Sequence, residues 1–286
     1  MTESIKIDQF TVPYRVMGDG PPLFCSELPL NPFARFGPLQ QQLAVKYKIF
    51  LIDLRPVVGY SDRTTPANDL LEYLSDFSLR VMDALGIDEC SVIGSFMYGG
   101  VSMDIARKAP ERVRNLVLLG TLGILRLPIT PLLRFITTFY RAPGIPFFLR
   151  LPPFLALVEW TDRHLLGPIR LYEIFYEPEK VPVRLEDLYE QYKTPRNVAA
   201  ALTLMWTIRK LTYEKLIPRL DEVKCPSLIL HGAEDRWVPL RYAEELHSRL
   251  SNSTLVVIPQ TRHMPEVENV DLTYKNIEKF LEEQKE

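Results

Sequence analysis

The sequence has almost no excess charge of either sign, which argues against a function in nucleic-acid binding. Its 286 residues include 34 lysine and arginine residues against 36 aspartate and glutamate residues, for a formal net charge of −2. A protein that binds the phosphate backbone normally presents a basic surface. We therefore expect no nucleic-acid partner.

The sequence also contains few cysteines. The chain contains only Cys25, Cys90 and Cys225, which are far apart and form no C-x-x-C pair. Their number and spacing predict neither a disulfide framework nor a metal site. We expect three buried free thiols. Because no G-x-G-x-x-G or phosphate-binding loop motif is present either, we expect no cofactor.

Long uncharged runs are also missing. No stretch reaches the roughly 18 apolar residues that a membrane helix requires. The start "MTESIKIDQF" lacks the basic residues and apolar run of a signal peptide. These absences predict a cytoplasmic protein. A content of 47% hydrophobic residues is sufficient for the core of one large domain.

Short apolar runs between turn residues alternate with helical patterns, which is typical of a mostly parallel sheet flanked by helices. The runs are apolar throughout, as expected for strands covered on both faces. The predicted strands are 22–28, 48–54, 89–96, 115–121, 227–232 and 254–259. The predicted helices are 38–47, 69–86, 99–110, 240–250 and 272–286.

This alternation stops at about residue 124 and resumes at about residue 224. The interval is rich in proline and contains Trp160 and Trp206, but no clear strand. We predict a helical cap at 124–223, between a first core part at 1–123 and a second core part at 224–286.

The beginning of this interval has an unusual charge pattern. No acidic residue occurs between Arg112 and Val158, whereas arginine recurs. Three interpretations remain open: a cap that packs on the core with its arginines in water, a lid over an apolar ligand, and a membrane-surface face. The prolines interrupt any long amphipathic helix, which argues against the membrane interpretation. The aromatic residues of the cap favour a lipophilic small-molecule partner.

The segment "SVIGSFMYGG" (91–100) combines an apolar strand, small residues and the start of a helix. Such a context is typical of a nucleophile elbow. Together with the following "VSMDIARKAPERVRNLVLLGT", it resembles the corresponding segment of the α/β-hydrolase superfamily. "FLIDLRPVVGYSD", "LILHGAEDRWVP" and "VIPQTRHMPEVENVDLTYKNIEKFL" resemble further segments of that superfamily, in the same order. The resemblance implies an α/β-hydrolase fold with the cap inserted after the sixth strand.

The same resemblance implies a catalytic acid at Asp235 and a catalytic histidine at His263. Their alternative interpretation is a turn aspartate and a surface histidine. An imidazole oriented by a carboxylate can act as a general base near neutral pH.

The position of the nucleophile departs from the family pattern. An ungapped count from Gly94 places Phe96 at the elbow and Ser95 one residue before it. Tyr98 stands where a glycine is usual, which is expected to fit poorly into a strained turn. Met97 retains a backbone N–H for an oxyanion. Ser95 is either a small packed residue or, after a local shift of the turn, a displaced nucleophile.

The oxyanion region departs as well. The count places Glu27, Leu28 and Pro29 where the family has His, Gly and a residue that donates its backbone N–H. Proline has no N–H to donate. Glu27 is predicted either as a proton donor or acceptor, or as a carboxylate paired with an arginine such as Arg35 or Arg55.

These departures lead to a hypothesis of non-hydrolytic catalysis. We expect a cyclase, lyase or isomerase of natural-product type, with His263, Asp235 and Glu27 as catalytic residues and a lipophilic substrate. The expected substrate-binding residues are Ser95, Phe96, Met97, Tyr98, Leu28, Pro29, Trp160 and Trp206. Two alternatives remain open: a catalytically inactive binder or receptor, and an esterase-like hydrolase that uses Ser95. The oligomeric state is left undetermined.

Overall fold

The computed structural model describes residues 1–26, 31–57, 70–121, 174–182 and 211–284. Within these ranges, eight strands form one sheet. They are β1 (Glu3–Ile7), β2 (Phe10–Met17), β3 (Pro22–Ser26), β4 (Lys48–Ile52), β5 (Cys90–Ser95), β6 (Val113–Leu119), β7 (Ser227–Gly232) and β8 (Ser253–Ile258). Their order in the sheet is β1-β2-β4-β3-β5-β6-β7-β8.

The sheet is mostly parallel. β2 pairs antiparallel with β1 and with β4. The remaining pairs, along the order β4-β3-β5-β6-β7-β8, are all parallel. The carboxyl ends of the parallel strands therefore meet at one edge, where open α/β sheets bind ligands.

Helices flank the sheet. They are α1 (Pro32–Arg35), α2 (Gly37–Leu43), α3 (Leu70–Ala84), α4 (Tyr98–Lys108), α5 (Arg241–Arg249), α6 (Pro265–Glu268) and α7 (Val270–Glu283). Shorter turns of other helix types cover Pro178–Lys180, Thr212–Leu216 and Ile217–Glu222. Together, sheet and helices confirm the predicted mostly parallel sheet flanked by helices.

The core lies on both faces of the sheet, as the apolar strands predicted. Successive residues of β5 point to opposite faces. Val92 packs in the cluster that includes Leu74 of α3 and Val101 of α4, whereas Ile93 packs in the cluster that includes Ile277 of α7. All three of these helices thus cover a sheet that is buried on both sides.

All six predicted strands are present, but β1 and β2 were not predicted. Apart from Ile7 and Val12, their residues are exposed or half-buried, and Pro13 lies within β2. An edge hairpin of this kind has no long apolar run, and proline is unusual within a strand. The turn between the strands depends on Asp8, whose φ is +52°.

The three cysteines are free and buried, as expected. Burial raises the pKa of the Cys90 thiol to about 12 and that of Cys225 to about 11, so both are protonated and unreactive at neutral pH. No helix in the described part of the chain is long and apolar enough to cross a membrane. Most of the predicted cap, including Trp160 and Trp206, lies outside the described residues.

Candidate active site

Asp235 lies in the loop after β7, where its side chain is held by the backbone of the residues that follow it. Its Oδ1 accepts hydrogen bonds from the N–H groups of Trp237 and Val238, both at 2.8 Å. Its Oδ2 lies 2.9 Å from Nδ1 of His263. Because an ionised carboxylate only accepts hydrogen bonds, Nδ1 carries a proton, and in the neutral imidazole the lone pair is therefore on Nε2. The two residues that resembled a catalytic acid and histidine are therefore in direct contact.

Two glycines allow the histidine loop to cross the strand ends. A Cβ at Gly232, the last residue of β7, would lie 1.9 Å from the backbone oxygen of Arg262. A Cβ at Gly120, just after β6, would lie 2.6 Å from the backbone oxygen of His263. No side chain fits at these distances. The loop can lie directly on the ends of both strands only because these positions are glycine.

The Asp235 carboxylate is stabilised in its ionised form. Burial alone would raise the pKa of Asp235, but the positive charge and hydrogen bond of His263, together with His231 and the N–H of Val238, lower it below its ordinary value. Asp235 is therefore negative throughout the neutral range. It can stabilise positive charge on His263 after a proton transfer.

A second histidine, His231 of β7, also lies beside this carboxylate. Its Nε2 donates to the carbonyl oxygen of Val238 at 2.6 Å and is 3.5 Å from Oδ2 of Asp235. Burial lowers the pKa of His231 below its ordinary value, although the charge of Asp235 opposes this effect. His231 is thus a neutral donor, which leaves His263 as the imidazole with an open Nε2.

The turn between β5 and α4 has the geometry of an elbow, and Phe96 is at its tip. Phe96 has a φ of +50°, in the left-handed region that costs a residue other than glycine about 1–2 kcal/mol. Gly94 precedes it at a point where a Cβ would lie 2.1 Å from Oγ of Ser102. The strained residue is therefore the one that the ungapped count placed at the elbow.

Phe96 packs edge-on against His263. The two ring centroids are 4.8 Å apart and the ring planes make an angle of 86°. Trp237 completes an aromatic group, with its centroid 6.1 Å from Phe96 and 5.4 Å from His263. Nε2 of His263 is buried and has no hydrogen-bond partner among the described residues. A buried lone pair beside aromatic rings is suited to accept a proton from an apolar substrate.

Ser95 belongs to a different group of side chains. Its Oγ donates to Oε1 of Glu266 at 3.0 Å, and Nε of Arg35 donates to the same oxygen. All three residues are 0% exposed. The hydroxyl of Ser95 is therefore engaged with a buried ion pair rather than with His263.

Tyr98 fits into the turn in spite of the expectation that a large residue would not. It is the first residue of α4, and its hydroxyl is 2.8 Å from Oγ of Ser78 on α3. The side chain is completely buried in the core, where burial raises the pKa of its hydroxyl. Met97 is buried in the same cluster. A tyrosine can thus stand where the family pattern has glycine, because its side chain points into the core.

The remaining predicted site residues lie outside the described ranges. They are Glu27, Leu28, Pro29, Trp160 and Trp206. Of the arginines named as partners for Glu27, Arg35 pairs with Glu266 and Arg55 pairs with Asp53 at 2.6 Å. In the part of the chain that is described, no group of three or more His, Cys, Asp or Glu side chains could hold a metal ion.

Sequence reasoning missed three residues around the histidine. Trp237 contacts His263, His231 lies beside Asp235, and Glu268 binds the backbone of the histidine loop. In the sequence, Trp237 lies close to Asp235 and Glu268 lies close to His263, and this nearness could have identified both residues. For His231 only its place at the end of a predicted strand pointed to the site.

Comparison with known proteins identifies the superfamily. The family model for the alpha/beta hydrolase fold matches residues 29–270. The 2-hydroxymuconate semialdehyde hydrolase of Pseudomonas putida is 30% identical over 227 residues, which are 79% of this chain and 74% of that protein.

Solved structures agree on the fold. The 2-hydroxy-6-oxo-6-phenylhexa-2,4-dienoate hydrolase from Rhodococcus sp. strain RHA1 has a TM-score of 0.70 at 20% identity, with 99% of this chain and 100% of that chain covered. A putative lipase from Acinetobacter baumannii AYE has a TM-score of 0.73 at 17% identity, with 100% and 92% covered.

The names of these relatives also bear on the type of activity. The relative from Pseudomonas putida is named a hydrolase, which supports the expectation of an enzyme but not that of a cyclase, a lyase or natural-product biosynthesis. The match over most of the chain and the Asp235–His263 pair at the carboxyl edge of the sheet lead to one conclusion: this chain belongs to the α/β-hydrolase fold family.

Proposed function

We propose that this protein is an enzyme in which His263, held by Asp235, transfers a proton on a lipophilic small molecule without a covalent serine intermediate. The observation that supports this most is the edge-on contact between Phe96 and His263, with ring centroids 4.8 Å apart. A phenylalanine has no group that can attack a carbonyl or be activated by a base. The neighbour of the histidine at the elbow is therefore hydrocarbon.

The orientation of the imidazole supports the role of a base. Nδ1 donates to Asp235, so the lone pair lies on Nε2, which is buried and has no hydrogen-bond partner among the described residues. Asp235 stabilises the imidazolium that forms when Nε2 takes a proton. Exclusion of water strengthens this electrostatic stabilisation.

The proposed step conserves atoms and electrons within the substrate. Nε2 takes a proton from a C–H group next to a carbonyl, or from an enol O–H, and the electron pair of that bond enters the conjugated system. The imidazolium then returns the proton to another atom of the substrate. The product of this step is an isomer of the substrate.

The substrate class follows from the site and from one relative. The aromatic group of Phe96, Trp237 and His263 favours a flat, apolar molecule. The relative from Pseudomonas putida is named for 2-hydroxymuconate semialdehyde, a conjugated carbonyl compound with an enol hydroxyl. We therefore propose an enolisable, conjugated carbonyl compound. Glu27, which follows Ser26 in the sequence, remains the proposed second proton donor or acceptor.

Hydrolysis by a directly activated water is the second candidate function, because the relatives are named hydrolases. The same Nε2 would then deprotonate water instead of the substrate, again with no acyl-serine. Incorporation of ¹⁸O from labelled water into the product separates the two candidates. The binder is less well supported because the relative from Pseudomonas putida is named an enzyme. The Ser95 esterase is less well supported because Oγ of Ser95 is hydrogen-bonded to Glu266.

Replacing His263 by Gln tests the proposal. With 2-hydroxymuconate semialdehyde as the probe, turnover and deuterium uptake from D₂O are followed by ¹H NMR. We expect His263→Gln to lower the rate by about 10²- to 10⁴-fold, the usual contribution of a general base. The matched control is His247→Gln, because His247 is exposed and contacts Ser253.

A covalent probe tests the alternative of a serine nucleophile. A serine-directed fluorophosphonate is expected to leave the protein unlabelled, because Phe96 occupies the elbow. Labelling of Ser95, followed by loss of activity in Ser95→Ala, would establish a serine nucleophile and overturn the proposal. Full activity of His263→Gln would do the same.

A further inference from the structure

Glu268, the last residue of α6, binds the backbone on both sides of His263. Its Oε1 accepts hydrogen bonds from the N–H groups of Arg262 at 3.1 Å and Met264 at 3.0 Å. Its Oε2 accepts from Arg262 at 3.1 Å and from the N–H of Tyr176 at 2.6 Å. One carboxylate thus holds the peptide groups that flank the histidine.

The same carboxylate also connects the loop to residues 174–182, which come from the long interval between β6 and β7. Two further hydrogen bonds join these parts. The N–H of His263 donates to the carbonyl oxygen of Ile174 at 3.0 Å, and Nη1 of Arg262 donates to that of Phe175 at 2.9 Å. The histidine loop and this segment form a single hydrogen-bonded unit.

Placing a carboxylate at this position costs free energy. Glu268 is half-buried, and burial raises its pKa, although the N–H groups that it binds oppose this effect. A charged group that is shielded from water needs compensating hydrogen bonds. The backbone N–H groups of three residues provide that compensation.

We propose that Glu268 is a positioning residue, which sets the place of the His263 ring and makes it depend on the docking of residues 174–182. The catalytic consequence rests on the proposed function, whereas the placement of the ring does not. Both oxygens of Glu268 are needed, one for the loop and one shared between the loop and the segment. A glutamine offers one acceptor and one donor, so it must face a backbone N–H with an N–H of its own.

The test compares Glu268→Gln with Glu283→Gln, the same change at an exposed glutamate near the end of α7. The first readout needs no activity. In ¹⁵N-labelled protein, we expect Glu268→Gln to shift the ring nitrogen signals of His263 and to speed amide exchange at Tyr176 or Met264 by about tenfold or more. Glu283→Gln is expected to leave these signals unchanged.

The second readout is kinetic. We expect kcat of Glu268→Gln to fall by about 10- to 100-fold with little change in KM, because a displaced base slows proton transfer more than binding. Glu268→Asp keeps the charge but is shorter, and an intermediate effect is expected. It replaces the Gln variant, with the same readouts, if circular dichroism shows that Glu268→Gln does not fold.

The outcomes distinguish this inference from the proposed function. Unchanged ring and amide signals in a folded Glu268 variant would overturn the positioning role, whatever the activity. If Glu268→Gln moves the His263 signals but His263→Gln retains full turnover, Glu268 positions a histidine that is not the base. In that case the proposed function fails and the inference stands.

Discussion

Asp235 determines which nitrogen of His263 bears the proton, and this makes a single oxygen atom decisive. Oδ2 of Asp235 accepts from Nδ1 at 2.9 Å, while Oδ1 is already bound to the backbone N–H groups of Trp237 and Val238. An asparagine would keep its oxygen on those N–H groups and turn its amide toward Nδ1. The imidazole would then carry its proton on Nε2, where a base needs a lone pair.

We therefore expect Asp235→Asn to lower kcat by about 10³- to 10⁴-fold while the fold is retained. The measurement is turnover of 2-hydroxymuconate semialdehyde, with ¹⁵N NMR of the histidine rings to identify the protonated nitrogen. A variant with unchanged turnover and a proton still on Nδ1 would contradict the tautomer assignment.

Phe96 shows how the burial of a side chain can offset the strain of its own backbone. The turn needs a left-handed residue, and Phe96 adopts a φ of +50° there. Its ring packs against both His263 and Trp237 and is only 5% exposed. Burial of a phenylalanine side chain contributes about 1.5–3 kcal/mol, which is enough to offset the strain of the turn.

At the level of elements, the site depends on how closely the histidine loop approaches the strand ends. A Cβ at Gly232 would lie 1.9 Å from the backbone oxygen of Arg262 and 2.4 Å from that of Thr261. Neither contact is with a flexible side chain, so the loop itself must move. Loop and strand therefore cannot keep their separation if this glycine is replaced.

We expect Gly232→Ala to reduce the free energy of unfolding by about 1–3 kcal/mol, as overpacking usually does, and to shift the ring signals of His263. The matched control is Gly37→Ala at the start of α2, where no atom lies within 4 Å of the added Cβ and a change within about 0.5 kcal/mol is expected. Urea denaturation and ¹⁵N NMR provide the measurements. Equal stability of both variants, with unchanged histidine signals, would refute the close-approach argument.

The buried ion pair of Arg35 and Glu266 is another contact between elements. It joins α1 to α6, and Ser95 at the end of β5 donates to the same carboxylate. These residues lie 231 and 171 positions from Glu266 along the chain. Such a pair adds little net stability but is costly to break, so it acts mainly to hold the elements in one arrangement.

For the whole molecule, His231 beside Asp235 predicts how stability depends on pH. Burial lowers the pKa of His231 below its ordinary value of 6.5. The unfolded chain therefore binds a proton at His231 more readily than the folded protein does. The stabilising contribution is complete above pH 6.5 and is lost as the pH falls toward the lower folded-state pKa.

We expect the free energy of unfolding of the wild type to decrease between about pH 7.5 and pH 5.5, by up to about 1.4 kcal/mol per pH unit for each proton taken up. In His231→Gln this slope is expected to be smaller. Urea denaturation at several pH values measures it. Identical slopes in both proteins would show that His231 does not titrate differently on unfolding.

The lowered pKa of Asp235 also makes the free energy of unfolding decrease as the pH falls, but at lower pH than for His231. The pKa of Asp235 is lowered from an ordinary value of 3.8, so its stabilising contribution is complete above that value and is lost as the pH falls below it. The acid and His231 therefore act in separate pH ranges. Mild acid reports on the histidine, and strong acid reports on the carboxylate.

Much of this architecture was predictable from the sequence, because it depends on local patterns. Apolar runs located β3 to β8, and helical patterns located α2, α3, α4, α5 and α7, whereas the short helices α1 and α6 were not predicted. β1 and β2 escaped prediction because an edge hairpin is only partly apolar. The order of the elbow, Asp235 and His263 along the chain was equally visible, since each follows a recognisable strand.

What the sequence determined by itself is therefore the sheet, Asp235 and His263 as the candidate acid and histidine, and a phenylalanine at the elbow. Only the tertiary structure decided that Ser95 binds Glu266, that Trp237 and Phe96 enclose the histidine, and that Glu268 connects its loop to residues 174–182. The physical reason is distance along the chain. A hydrogen bond between residues 171 positions apart leaves no periodic signal in the sequence, and it is established only when the folded elements bring its two groups together.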